Sequence, residues 1–249
     1  METEILVVRN YDIFSSILFG LGFSVINFPT IKTKKIADYS ELDKVISEIE
    51  IFDGIFITSP SAAEPFLDKL KEAKKSYRGK IYVFGNRTNK LFRKAGIEIV
   101  FDGNAKNAAE LINSIPREEL KEKKFLYLRG NRSLRIIPET LAPFAEVREL
   151  IVYKTSAAQT GAKQSDRIKE KLMSGKIAAV CFFSPSGVKG FLEKIAEFQQ
   201  GEIKIAAIGK TTARFIKGKK LRVDFIAENP EAEDFAVGLA RYLRKRDFG

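Results

Sequence analysis

Two stretches of this chain, IFITSPSAAEPFLDKL (55–70) and VCFFSPSGVKGFLEKI (180–195), share an apolar run, a Ser-Pro-Ser turn and an amphipathic run. Ser59, Ser61, Ser184 and Ser186 thus stand where a strand gives way to a helix. Serine is a favoured N-cap at such a corner and proline a favoured first-turn residue, so capping accounts for the pattern as readily as ligand binding does. The same geometry suits an anion, because a helix N-terminus exposes unpaired N–H groups at the positive end of its dipole. Gly187 follows the second turn directly and belongs to the same corner. A third corner, Gly209-Lys210-Thr211-Thr212, joins glycine, which allows close backbone approach, to hydroxyls and amides that suit carboxylate oxygens. Its copy in the first half reads Gly85-Asn86-Arg87-Thr88.

The chain has no histidine, which excludes Ser-His-Asp triads, Cys-His pairs and His-ligated metals. These serines are therefore expected to present caps and amides rather than to act as nucleophiles. The single cysteine, Cys181, lies in an apolar run, is expected to pack in the core and cannot form an internal disulfide. That fits a reducing cytoplasm. A formal net charge of +11 points to an anionic partner. Nucleic acid is one such class, encouraged by the basic tail RYLRKRDFG, but the positive residues are dispersed and form no known motif. A second alternative is a two-lobed binding protein for a polyanionic small ligand, without catalysis. METEILVVRN enters a strand-like run without the parts of a signal peptide, and no apolar run approaches the ~20 residues that span a bilayer. No membrane association is expected.

Elements that alternate from end to end must hold these corners. Strands are expected at 5–9, 23–28, 54–58, 80–84 and 97–100, then at 125–128, 146–154, 177–183, 203–208 and 222–226. Helix-length segments with apolar residues at three- and four-residue spacing separate them, which argues for parallel sheets in an α/β fold. Ser59 matches Ser184 at an offset of 125, Gly85 matches Gly209 at 124, and Arg9 matches Arg129 at 120. Two similar lobes of about five strands each follow from such a repeat. A cut near 120 gives two contiguous halves. The long connections IKTKKIADYS (31–40) and TSAAQTGAKQS (155–165) allow instead one lobe over 38–148 and another from 1–30 with 160–249. Both partitions hold five strands per lobe.

The segments ITSPSAA (57–63), VYKT (152–155), FFSPSGV (182–188) and IAAIGKTTA (205–213), in this order over nearly the whole chain, resemble the uroporphyrinogen-III synthase family. The resemblance implies two flavodoxin-like lobes, the first discontinuous, with linker strands near 31–37 and 149–159 and an active site in the interlobe cleft. It implies a monomer that cyclises the linear tetrapyrrole hydroxymethylbilane to uroporphyrinogen III, inverting ring D and losing water, with no cofactor or metal. Hydroxymethylbilane synthase would supply the substrate, a polycarboxylate that gives the positive charge a use.

The family's paired threonines match Thr211 and Thr212, its nearby lysine matches Lys204, and its cleft tyrosine matches Tyr153. A phenol with a reference pKa of ~10 is protonated at neutral pH and able to assist departure of the substrate hydroxyl as water. Tyr153 is accordingly the expected catalytic residue. Arg9, at a strand end, is expected either to face a carboxylate or to form a salt bridge between lobes. The segment LRGNRSLRIIPETL (128–141) departs from the family pattern: Leu134 stands where the family has an arginine, with Arg132 and Arg135 as the available substitutes.

Overall fold

The computed structural model describes residues 4–101, 105 and 107–244. In chain order the elements are β1 (Glu4–Val7), α1 (Ile13–Gly20), β2 (Ser24–Asn27), β3 (Ile31–Lys35), α2 (Ser40–Ser47), β4 (Gly54–Ile57) and α3 (Pro60–Glu72). They continue with β5 (Lys80–Val83), α4 (Asn86–Lys94), β6 (Val100–Phe101), α5 (Ala108–Asn113), β7 (Lys124–Gly130), α6 (Ile136–Leu141) and β8 (Glu146–Ala157). The last are α7 (Ala162–Met173), β9 (Ile177–Phe182), α8 (Pro185–Lys194), β10 (Lys204–Ala207), α9 (Lys210–Gly218), β11 (Phe225–Ile226) and α10 (Ala232–Arg244). All ten expected strands are present, two of them cut to the pairs β6 and β11. An eleventh strand, β3, falls within the linker strand expected near 31–37. Of the basic tail, residues 245–249 lie outside the described residues, as do residues 1–3 of the N-terminal run.

The chain forms two compact units, Met1–Lys32 with Ser156–Gly249, and Thr33–Thr155. The first carries a five-stranded sheet in the order β11-β10-β9-β1-β2, the second a six-stranded sheet in the order β3-β8-β7-β4-β5-β6. Pairings β1–β2, β1–β9, β9–β10 and β10–β11 are all parallel, as are β4–β5, β4–β7, β5–β6 and β7–β8. Counted along its own segments, the first sheet has the flavodoxin order 2-1-3-4-5. The second has the same order when β7 and β8 count as its first two strands. The repeat matches β7 to β1, β4 to β9 and β5 to β10, so each unit joins a leading βαβ from one copy to the trailing strands of the other. That exchange is why two partitions of the sequence satisfy the same strand count.

Parallel strands covered on both faces need continuous apolar runs. GIFI of β4 is buried throughout, and its side chains alternate between layers: Ile55 and Ile57 pack with Phe66 and Phe92, Phe56 with Tyr82 and Phe125. In the first unit Ile5 and Val7 pack with Phe14 and Phe235 on one face, Leu6 and Val8 with Phe182 and Phe191 on the other. The Phe56 and Tyr82 rings stack 4.7 Å apart. Gly54 lies under this stack, where an added Cβ would come within 2.7 Å of Phe125.

Candidate active site

In the first unit, three strand ends carry the residues singled out above. Beyond β9, Ser184 is extended (φ −164°) and caps α8, its Oγ accepting the Gly187 N–H at 3.1 Å. Ser186 Oγ lies 3.1 Å from Ser184 Oγ. Gly187 is buried, and its carbonyl accepts the Thr30 hydroxyl at 3.1 Å, so both its backbone groups are engaged inside the unit. Beyond β10, Gly209 precedes α9 and provides no side-chain cap to it. Lys210 is exposed there, Thr211 half-buried and Thr212 buried. Beyond β1, Arg9 pairs with Asp12 (Nη2 to Oδ2, 2.9 Å) and lies 4.3 Å over the ring of Phe183, the residue before Ser184. Phe183 in turn meets Phe14 edge-on at 4.9 Å, so Arg9 rests on an aromatic platform rooted in the core.

Lys204 departs from this group. It opens β10, whereas Gly209 follows the carboxyl end, and at ~3.3 Å per residue the two stand about 16 Å apart along the strand. Its largely buried side chain lies 3.8 Å from Glu202. The family resemblance placed Lys204 with the threonines; the direction of β10 takes it to the opposite end of that strand.

The second unit repeats the corners. Ser59 caps α3, its Oγ accepting the Ala62 N–H at 3.3 Å, and Ser61 follows, half-buried, in the first turn. The Ala62 N–H also lies 3.1 Å from the Ser59 carbonyl. Gly85 adopts a left-handed conformation (φ +86°) before α4, again with no side-chain cap. Each unit thus has a serine-capped helix start and a glycine-opened one at neighbouring strand ends.

Tyr153 lies on β8 opposite Gly130, the last residue of β7. Its ring covers Gly130 so closely that an added Cβ would come within 2.4 Å of it. Tyr127, 4% exposed, belongs to the other layer, with Phe56 and Phe125, whereas Tyr153 packs against the layer of Leu126 and Leu128. Burial pushes the Tyr127 phenol up; the neighbouring side chains of Thr58 and Ser133 and the Arg129 charge oppose that rise, and Tyr153 adds to it. Thr58 precedes Ser59, so this buried phenol adjoins the Ser59 corner. Sequence reasoning missed Tyr127, because in FLYL it reads as one more apolar strand residue. The only available signal was its oxygen, which a buried tyrosine must partner.

Around the same corner, Arg129 Nε lies 2.6 Å from Glu149 Oε2, and Arg135 Nη2 donates to Glu149 Oε1 at 3.0 Å. One carboxylate therefore holds two arginines. Arg132 is exposed and has no ion-pair partner among the described residues. Leu134 is exposed as well. Among the described residues no group of three or more His, Cys, Asp or Glu is arranged to hold a metal ion, and no helix is long and apolar enough to cross a membrane.

Two parallel α/β units with helix starts and hydroxyls at the carboxyl ends of their strands define a protein suited to hold a small anionic ligand. The chain belongs to the uroporphyrinogen-III synthase family: the family model described as uroporphyrinogen-III synthase HemD matches residues 14–236. A uroporphyrinogen-III synthase of Chlorobaculum parvum is 31% identical over 230 residues, covering 90% of this chain and 91% of the relative. One of Schizosaccharomyces pombe is 25% identical, covering 86% and 85%. Among solved structures, a mutant uroporphyrinogen III synthase from the extremely thermophilic bacterium Thermus thermophilus superposes with a TM-score of 0.71 at 17% identity, covering 98% of this chain and 99% of the other. The enzyme of Helicobacter pylori does so with a TM-score of 0.57 at 18% identity, covering 97% and 100%. At these identities the structures establish the fold.

Proposed function

We propose that this protein closes hydroxymethylbilane to uroporphyrinogen III, with loss of water and inversion of ring D. The family match along most of the chain carries the assignment. The glycine-opened starts of α9 and α4 supply amides for carboxylate arms, helped by Lys210, Thr211 and Thr212. Ser61 and Ser186 add hydroxyls, while Ser59, Ser184 and Gly187 shape the serine-capped corners. Arg9 and Arg132 supply positive charge, Arg135 being bound to Glu149. Tyr153 donates a proton, or orders a water that does, as the substrate hydroxyl leaves, and an azafulvene cation forms. Ring closure through a spiro intermediate and rearrangement then releases a proton, so the net change is loss of one water. Much of the rate comes from holding a flexible, reactive chain in one geometry. In this assignment the protein works as a cytoplasmic monomer, without a cofactor, on substrate supplied by hydroxymethylbilane synthase.

The test supplies freshly made hydroxymethylbilane and separates the product isomers. Spontaneous closure yields the I isomer; an excess of the III isomer is expected with this protein. Only the I isomer, together with ligand binding, would replace the proposal with a non-catalytic binding protein.

A further inference from the structure

Along β7 and β8 the register runs in step from Lys124↔Glu146 to Arg129↔Ile151, then slips: Gly130 pairs with Tyr153. Val152 is the extra residue, a bulge in β8. Because side chains alternate along a strand, one inserted residue re-aims those that follow it. The bulge is held from several sides. The Val152 side chain is fully buried, and its carbonyl accepts the Tyr39 hydroxyl at 3.2 Å. The Asn131 N–H donates to the Tyr153 carbonyl at 3.3 Å. The Asn131 side chain then acts as a further rung of the ladder, Oδ1 accepting the Thr155 N–H at 2.7 Å and Nδ2 donating to the Thr155 carbonyl at 3.3 Å. Gly130 is fixed in its turn, its N–H donating to Ser133 Oγ and its carbonyl accepting from Arg129 Nη1, both at 3.0 Å.

We infer that Gly130 and Asn131 are positioning residues for Tyr153: the missing Cβ admits the phenol ring, and the Asn131 clamp holds the bulged backbone that carries it. Their effect on turnover rests on the role proposed above for Tyr153; their effect on the ring's location does not. Asn131 is exposed, so its substitution spares the core, whereas Gly130→Ala forces the ring aside.

Two measurements test this. In NMR spectra of ring-labelled tyrosines, Tyr153 is identified by the signals lost in Tyr153→Phe. Gly130→Ala and Asn131→Ala should each move those signals and leave the Tyr77 and Tyr82 signals in place. Unmoved Tyr153 signals, or a general shift of all tyrosines, would overturn the inference. In turnover, Gly130→Ala should lower kcat about 10- to 100-fold, and Asn131→Ala about 3- to 10-fold, with KM changed less than about 3-fold. Asn131→Asp, which keeps the acceptor for Thr155 N–H, should recover part of the loss. In a Tyr153→Phe background neither substitution should cost more than about 2-fold; full additivity would overturn the inference. A Tyr153→Phe protein with undiminished turnover would refute the donor role alone, and the tyrosine spectra would still decide whether these residues place the ring.

Discussion

Replacing Ser184 by alanine separates the two uses a serine has at a helix start. The hydroxyl accepts the Gly187 N–H at 3.1 Å, and among the described residues this buried amide has no backbone acceptor. Losing an N-cap costs about 1 kcal/mol, and leaving a buried donor unsatisfied costs about 1–3 kcal/mol. These are overlapping measures of one loss, so Ser184→Ala should destabilise the first unit by about 1–2 kcal/mol. Ser59 is its counterpart, but there the bond is longer (3.3 Å) and the Ala62 N–H keeps the Ser59 carbonyl at 3.1 Å. Ser59→Ala should therefore cost only about 0.5 kcal/mol, the lower end of the capping range. Denaturant unfolding followed by circular dichroism measures both; where the units unfold in separate steps, each loss falls on the unit that carries the substitution. The reasoning fails if Ser59→Ala costs as much as Ser184→Ala. It fails also if Ser184→Ala leaves unfolding untouched while raising KM for hydroxymethylbilane, since the hydroxyl would then serve the ligand and not the helix.

Burial, with the Glu119 charge adding to it, pushes the Tyr82 phenol up to about 12. The folded chain thus prefers the neutral form, so this stabilisation is whole below the ordinary tyrosine value of ~10 and is lost as pH rises toward the folded value. Between about pH 9 and 11.5 the wild type should lose up to about 2 kcal/mol more unfolding free energy than Tyr82→Phe, and parallel curves would contradict that cause. At the Gly130 corner, Arg132→Ala should raise KM for hydroxymethylbilane several-fold without changing stability. Arg135→Ala, which only releases one partner of Glu149, should leave KM within about 2-fold; the opposite ranking would assign the carboxylate contact to Arg135.

Within each unit the local pattern was legible. Ser59-Pro60 and Ser184-Pro185 signal caps by residue type, and both cap as expected, since the bond spans only three residues. Strand positions followed from apolar runs, because parallel strands buried on both faces need them. Three features were not legible. Lys204 lies close in sequence to Thr211 but at the other end of β10, because strand direction turns a few residues into ~3.3 Å steps away from the corner. Tyr127 reads as core, and only packing sets its phenol beside Thr58 and Ser133. The bulge at Val152 comes from the mismatch between β7 and β8, a property of the pair that neither strand carries alone.

By itself, the sequence determined that the chain is a duplicated α/β protein with paired helix-start corners, no histidine chemistry and a charge suited to an anion. These properties are local or compositional: caps, periodicity and net charge depend on residues near one another or on their sum. The tertiary structure decided which copy completes which sheet, because β1 pairs with β9, and β4 with β7, across long stretches of intervening chain. It also decided where Tyr153 stands, through a register slip, an absent Cβ and an asparagine from the neighbouring strand's end. Long-range pairing sets such features, and no window of sequence contains both partners.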